Sequence, residues 1–108
     1  MTMPYFVIYS QDIENSLEKR MSARPAHIDR LKALNEEGRL LVAGPCPLSE
    51  VPDDTQAGFS GSVVIAAFTS LKEAKQWADA DPYIEAGVYQ QVEVKPYKPV
   101  LGSALENS

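Results

Sequence analysis

The stretch from Pro25 to Ala43, PAHIDRLKALNEEGRLLVA, sets the pattern from which the fold follows. The apolar residues Ile28, Leu31 and Leu34 recur in it at helical spacing. The charged residues lie largely off this apolar stripe, as in an amphipathic helix. Pro25 is expected at the first helical position, where its missing N–H costs no hydrogen bond. Gly38 is the expected stop, and Arg39–Ala43 predicts a strand. The preceding segment, Asp12–Ser22, is polar and fits either a helical turn or an exposed loop.

Three other segments predict strands. Tyr5–Tyr9 and Ser62–Phe68 are rich in β-branched and aromatic residues, and Val88–Tyr97 alternates between apolar and polar residues. The run Gly44–Pro47 is expected to end the second strand, because proline cannot donate to the ladder. Ser49–Ser60 is expected to form a hairpin loop before the third strand.

A second helix is predicted from about Leu71 to Ala80. Ser70 precedes it as an N-cap and Glu73 follows three residues later, which is the pattern of a capping box. Asp81–Pro82 then begins a short helical turn that Gly87 ends.

The predicted order is β-α-β-β-α-β. Right-handed crossovers turn this order into an α+β, ferredoxin-like antiparallel sheet with both helices on one face. Yet the first strand, Tyr5–Tyr9, is apolar on both of its faces and the third strand nearly so. The uncovered face therefore needs a partner, and a second copy of the chain is the simplest one. We expect one domain over residues 1–97 and a C-terminal tail over residues 98–108.

Composition excludes several classes of function. The chain has 108 residues with 10 basic and 15 acidic side chains, and its net charge of −5 disfavours nucleic acids and anionic membranes as partners. The longest apolar stretches have the length of strands rather than of membrane spans. The N-terminus lacks the features of a secretory signal, and one cysteine cannot form an internal disulfide. These observations predict a cytoplasmic protein.

The predicted topology gathers distant residues at one edge of the sheet: Tyr9–Gln11, Arg24, His27, Gly44–Pro45, Gly61–Ser62 and Asp81–Tyr83. His27 is the single histidine of the chain and is the side chain best suited to proton transfer near neutral pH. Asp81 can orient it and stabilise its protonated form. Arg24 can hold an anionic substrate, and Ser62 can hydrogen-bond at the floor of the pocket.

Each of these residues also has a purely structural interpretation. A single histidine in a chain of this length is more often inert, and Asp81–Pro82 is an ordinary helix start. Arg24 can pair with a carboxylate, and Ser62 can satisfy a strand end. The tyrosines are read as packing residues of the core or dimer: Tyr5, Tyr9, Tyr83 and Tyr89.

The sequence lacks the residues that metal, phosphate-binding or cysteine chemistry would require. One cysteine and one histidine do not supply the four ligands of a structural zinc site. The sequence also has no glycine-rich phosphate loop. For these two reasons neither a metal nor a cofactor is expected. Cys46 lies between two prolines with no basic neighbour in the sequence and is read as unreactive.

Four motifs together resemble the YCII-related (YciI-like) family. The resemblance covers about Tyr5 to Tyr97, and these motifs carry it: Arg24–His27, Glu37–Pro45, Gly58–Ser62 and Ala80–Tyr89. The resemblance implies a dimeric α+β barrel, a ferredoxin-like fold related to muconolactone isomerase, with a His–Asp pair in the active site. By motif this pair falls on His27 and Asp81, the family's arginine on Arg24 and its serine on Ser62. A member of the family is a dehydrochlorinase of a chlorinated hydroxyquinol, although one scaffold serves different substrates.

The leading hypothesis is a cofactor-free enzyme of the lyase or isomerase type acting on a small anionic or phenolic molecule. His27 is then the general acid or base, Asp81 its orienting partner and Arg24 the anion clamp. One alternative is a dimer that binds or senses a small ligand in the same pocket without turnover. A third reading is an accessory protein that acts through its dimer surface.

Overall fold

Four strands and three α-helices make up the part of the chain that the computed structural model describes, residues 3–51 and 53–103. In chain order they are β1 (Tyr5–Asp12), α1 (Leu17–Glu36), β2 (Leu40–Pro47), β3 (Phe59–Ala67), α2 (Leu71–Asp79), α3 (Pro82–Glu85) and β4 (Tyr89–Tyr97). The strands form one sheet in the order β2-β3-β1-β4, and each neighbouring pair is antiparallel. This topology confirms the predicted ferredoxin-like α+β fold.

The core lies between the helices and one face of the sheet. Alternate residues of β1 point into it, and Phe6 and Ile8 are each only 3% exposed. Their cross-strand neighbours on β3, Ala66 and Val64, are buried on the same face. The Phe68 ring follows β3 and packs 6.2 Å from the Phe6 ring, centroid to centroid, which closes the core below α2.

Helix α1 begins at Leu17, so the prediction that Pro25 occupies its first position is wrong. The two extra turns form because Ser16 and Arg20 bind the side chain of Asp12 at the end of β1. Pro25 lies inside the helix and cannot donate to the carbonyl of Met21, a loss that destabilises a helix by about 3 kcal/mol or more in general. Both residues are exposed, so water can bind that carbonyl instead.

Strand β2 continues to Pro47, so the prediction that Gly44–Pro47 ends the strand is also wrong. The strand lies at the edge of the sheet, where one side of the backbone has no partner. Pro45 and Pro47 are two residues apart and therefore direct their missing N–H groups to the same, outer side. Because β2 is longer than predicted, β3 begins at Phe59 opposite Pro47 rather than at Ser62.

The predicted stop of the first helix at Gly38 and the predicted cap of the second helix at Ser70 are confirmed. Gly38 adopts a φ of 74°, and its N–H donates to the Asn35 carbonyl at 3.0 Å while the N–H of Arg39 donates to the Leu34 carbonyl at 2.9 Å. These two bonds form a Schellman motif, in which a left-handed residue ends the helix. At the start of α2 the Glu73 N–H donates to Ser70 Oγ at 3.1 Å.

The second face of the sheet carries apolar side chains that no helix covers. Val42, Val7 and Ile65 share this face in neighbouring strands, and Val42 is 51% exposed. Tyr9 lies beside them and is 37% exposed. The structure thus leaves open the face for which the sequence predicts a partner.

Beyond Tyr97 the described residues, 98–103, add no strand to the sheet. The last part of the predicted tail, 104–108, lies outside the described residues, and the division into a domain over 1–97 and a tail over 98–108 stays a prediction. Among the described helices, none has both the length and the apolar character of a membrane span.

We expect Gly61→Ala to destabilise the fold by about 1–3 kcal/mol, as overpacking does in general. A Cβ at Gly61 would lie 2.3 Å from the backbone oxygen of Ser10, and two paired strands cannot separate easily. Gly44→Ala is the matched control, because a Cβ there meets nothing within 4 Å. Urea unfolding of the two variants measures the difference, and equal midpoints would contradict the predicted clash.

Candidate functional site

A cavity of about 260 Å³ lies between α1 and the β2–β3 half of the sheet. Polar and aromatic side chains from three elements, α1, β3 and α3, line part of it: Arg20, Arg24, His27, Phe59, Ser62 and Tyr83. Apolar residues, among them Leu31 and Val64, line the remainder. A small apolar pocket with a few convergent polar groups is the usual form of a site for small molecules.

His27 lines this cavity and forms a buried pair with Asp81. Nδ1 of His27 lies 2.9 Å from Oδ1 and 3.0 Å from Oδ2 of Asp81, and the two residues are 7% and 6% exposed. A carboxylate accepts hydrogen bonds only, so Asp81 favours the tautomer with the proton on Nδ1. Nε2 makes no hydrogen bond to a described residue, and His27 is one of the residues that line the cavity.

Asp81 serves the backbone as well as His27. It is the N-cap of α3, where its Oδ1 accepts the N–H of Tyr83 at 2.9 Å. Pro82 at the first helical position fixes the backbone that follows. The cap that begins a four-residue helix thus also holds the carboxylate at the orientation that His27 needs.

Tyr83 fixes the plane of the imidazole. Its ring stacks on His27 with a centroid distance of 3.9 Å and an interplanar angle of 8°, and Tyr89 meets Tyr83 edge-on at 5.5 Å. Burial raises the pKa of Tyr83, and the charges of Arg20 and Arg24 oppose that shift. The sequence predicted Tyr83 to be a packing residue, and its packing partner is the histidine of the pair.

Arg20 is the buried arginine of the site, 5% exposed. Its Nε and Nη2 donate to the two carboxylate oxygens of Asp12 at 2.6 Å and 2.8 Å. Nη2 also donates to the Gly61 carbonyl at 2.9 Å and to Ser62 Oγ at 2.8 Å. The bidentate pair therefore ties α1 to β1 and β3 at the end of the cavity.

Aromatic rings surround the same guanidinium. Its central carbon lies 4.9 Å from the Phe59 ring centroid, 5.1 Å from that of Tyr83 and 5.9 Å from that of Tyr89. Burial by itself would lower the pKa of Arg20, but the hydrogen bonds and the charge of Asp12 outweigh it and raise that pKa. The guanidinium of Arg20 therefore stays charged.

Most of the other residues expected at this edge of the sheet line the cavity, and Tyr9 does not. Arg24 is exposed and lines the cavity without a hydrogen-bond partner among the described residues, and Ser62 is bound by Arg20. Gly44–Pro45 also line the cavity. Tyr9 was expected here and does not belong to the site, because it lies on the open face of the sheet, opposite the helices.

Sequence reasoning missed Arg20 because it treated Asp12–Ser22 as undecided between helix and loop. The signal was the spacing of Arg20 and His27, which are two helical turns apart and share one face once α1 begins at Leu17. Within the part of the chain that the structure describes, no three His, Cys, Asp or Glu side chains converge as a metal site requires.

The comparisons with known proteins identify the family. The YCII-related domain matches residues 4–98, and the chain belongs to this family. It is 60% identical to the protein YciI of Escherichia coli O6:H1 over 96 residues, which cover 89% of this chain and 98% of that protein. It is 55% identical over 97 residues to an uncharacterized protein of Haemophilus influenzae, covering 90% of this chain and 99% of that protein.

One solved structure that is similar to this chain is that of an enzyme. The 5-chloro-2-hydroxyhydroquinone dehydrochlorinase of Burkholderia phenoliruptrix, in complex with 2,5-dihydroxybenzoquinone, superposes with a TM-score of 0.77 at 28% identity. The match covers 87% of this chain and 93% of the dehydrochlorinase.

We expect Asp81→Ala to destabilise the fold by about 1 kcal/mol, because the N–H of Tyr83 loses its cap at the start of α3. Asp81→Asn is the matched control and should lose clearly less, because asparagine is as good an N-cap as aspartate. Thermal unfolding of the two variants measures the difference, and equal unfolding temperatures would contradict the capping role.

Proposed function

We propose that this protein is an acid–base enzyme of the lyase or isomerase type, acting without a cofactor on a small phenolic or anionic molecule. The observation that carries the proposal is the buried His27–Asp81 pair at the cavity that His27 lines, with Nδ1 bound to the carboxylate and Nε2 bound to none of the described residues. A histidine held in one tautomer by a buried carboxylate is a general base at the other nitrogen.

The proposed first step is removal of a proton by Nε2 of His27. From a ring hydroxyl, the electron pair of the broken O–H bond forms a carbonyl, and the displaced ring π pair takes up a proton at the carbon that carries the leaving group, which becomes tetrahedral. Loss of the proton of a second ring hydroxyl then forms a second carbonyl, and a C=C bond re-forms at that carbon as the leaving group departs as an anion with its bonding pair. Return of the proton at another carbon, without a leaving group, makes the reaction an isomerisation. Asp81 stabilises the imidazolium that forms in either case.

Two observations support a phenolic or quinone-like substrate. The cavity is smaller than the 300–1,000 Å³ typical of sites for drug-sized ligands, which favours a molecule of one ring. The dehydrochlorinase with the same fold and 28% identity binds 2,5-dihydroxybenzoquinone. Arg24, exposed at the cavity, can attract an anionic oxygen of such a ring.

We expect His27→Gln to reduce turnover by about 10²–10⁴-fold, the usual contribution of a general base. Glutamine keeps a polar side chain of similar length, so binding should survive. NMR should follow product formation from a panel of hydroxyquinols and halogenated hydroxyquinols, with 2,5-dihydroxybenzoquinone as the binding probe.

Lys32→Gln is the control, since Lys32 is an exposed residue of α1 outside the cavity lining. Turnover that His27→Gln leaves unchanged would remove His27 from the mechanism. Saturable binding of the probe with no product from any compound would instead favour the ligand-binding alternative.

We propose further that a second copy of this chain covers the open face of the sheet. The face is apolar at its centre, where Val7 and Ile65 lie side by side, and the Lys95–Glu93 ion pair lies toward its β4 edge. An apolar centre with a charged rim is the usual composition of an interface. A two-fold axis through such a face would pair each apolar centre with its copy.

We expect Ile65→Lys to convert a dimer into a monomer, because it buries an unpaired charge at the centre of the proposed interface. Light scattering after size-exclusion chromatography gives the mass directly. Val51→Lys, which changes an exposed residue of the β2–β3 connection, is the matched control and should remain dimeric. A monomeric parent protein would overturn the proposal.

A further inference from the structure

A second cavity, of about 330 Å³, lies between the start of α1 and the connection from β2 to β3. Asn15 and Glu18 line it from one side, and Leu48 and Gln56 line it from the other. It is larger than the cavity lined by His27, whose volume is about 260 Å³ and which we call the site cavity. The fold therefore has space outside the site that part of a larger ligand could occupy.

Two residues line both the site cavity and the second cavity, Leu17 and Phe59. Leu17 is the first residue of α1, and Phe59 is the first residue of β3. Among the residues that the structure describes, the two linings have no other member in common. Because each of the two residues borders both spaces, Leu17 and Phe59 form the partition between the cavities.

The position of Phe59 in this partition is set by the sheet and by Arg20. Phe59 pairs with Pro47 in the β2–β3 ladder, and beside that pair the N–H of Leu48 donates to the Gly58 carbonyl at 3.0 Å. The centroid of the Phe59 ring lies 4.9 Å from the guanidinium carbon of Arg20, within the range of a cation–π contact. Arg20 is buried and also lines the site cavity, so the ring lies at the Arg20 end of the site.

We propose that Phe59 and Leu17 determine the size of the substrate, because they close the site cavity at its Arg20 end and restrict it to molecules of one ring. This inference deepens the proposed function and rests on it for the class of the substrate. A ring fused to the substrate on the Arg20 side would meet the Phe59 ring, and inserting atoms into packed space is unfavourable. Removal of the partition joins the two cavities and gives a second ring a place to lie.

The test compares two ligands by calorimetric titration: 2,5-dihydroxybenzoquinone, which has one ring, and lawsone, a hydroxynaphthoquinone with a second, fused ring. The parent protein should bind the one-ring compound more tightly. Phe59→Ala removes a benzene-sized ring at the partition, and apolar cavities of that size bind aromatic rings. The ratio of the two dissociation constants should therefore shift toward lawsone by about tenfold.

Leu17→Ala opens the partition while leaving the contact between Phe59 and Arg20 in place, and it should shift the ratio in the same direction. Phe59 also lines a third cavity beside Tyr9, which Leu17 does not, so Leu17→Ala assigns the effect to the second cavity. This variant also keeps the test decisive if circular dichroism shows that Phe59→Ala is unfolded. Leu48→Ala is the matched control and should keep the parent ratio, because Leu48 lines the second cavity but not the site cavity.

A ratio that stays at the parent value in either folded variant of the partition would overturn the proposal. An equal shift in Leu48→Ala, equal affinity of the parent protein for the two compounds, or no binding of either compound to any of the proteins would overturn it as well. The proposed catalysis is tested separately by turnover in His27→Gln. Turnover that this variant retains would remove the catalytic role of His27 without changing the ratio of ligand affinities on which the partition is judged.

Discussion

The burial of Arg20 against Asp12 is the interaction on which the site depends. The pair joins the end of β1 to the first turns of α1, and Nη2 of Arg20 reaches β3 through Ser62 and the Gly61 carbonyl. Removing one member of such a pair usually costs about 3–5 kcal/mol, because the other charge is left buried alone. The ion pair therefore fixes where α1 lies on the sheet, and α1 in turn places His27 at the cavity.

Asp81 shows how one side chain can combine a structural and a chemical task. As an N-cap it satisfies a backbone N–H that a short helix leaves without a partner, and the same oxygen faces Nδ1 of His27. The position of its carboxylate is therefore set by backbone geometry rather than by a flexible side chain. Tyr83, the residue whose N–H it caps, stacks on the imidazole and fixes the ring from a second direction.

Much of the fold could be predicted from local pattern. The order of elements, the stop at Gly38 and the capped start of α2 each follow from a few neighbouring residues, and all three are confirmed. Two of the boundaries that were wrong share one reason. Pro25 and the prolines of β2 were treated as breaks, whereas an exposed helix turn and an outer sheet edge tolerate the missing N–H.

The amino-acid sequence by itself determined the architecture, because hydrophobic period and turn residues act over short distances along the chain. It also supplied His27 and Asp81 as candidates, since connectivity alone directs both to one end of the sheet. Only the tertiary structure decided that Arg20 is the buried arginine and Arg24 the exposed one, and that Tyr9 lies on the open face. Burial and charge pairing depend on contacts between residues far apart in sequence, and a local pattern does not contain that information.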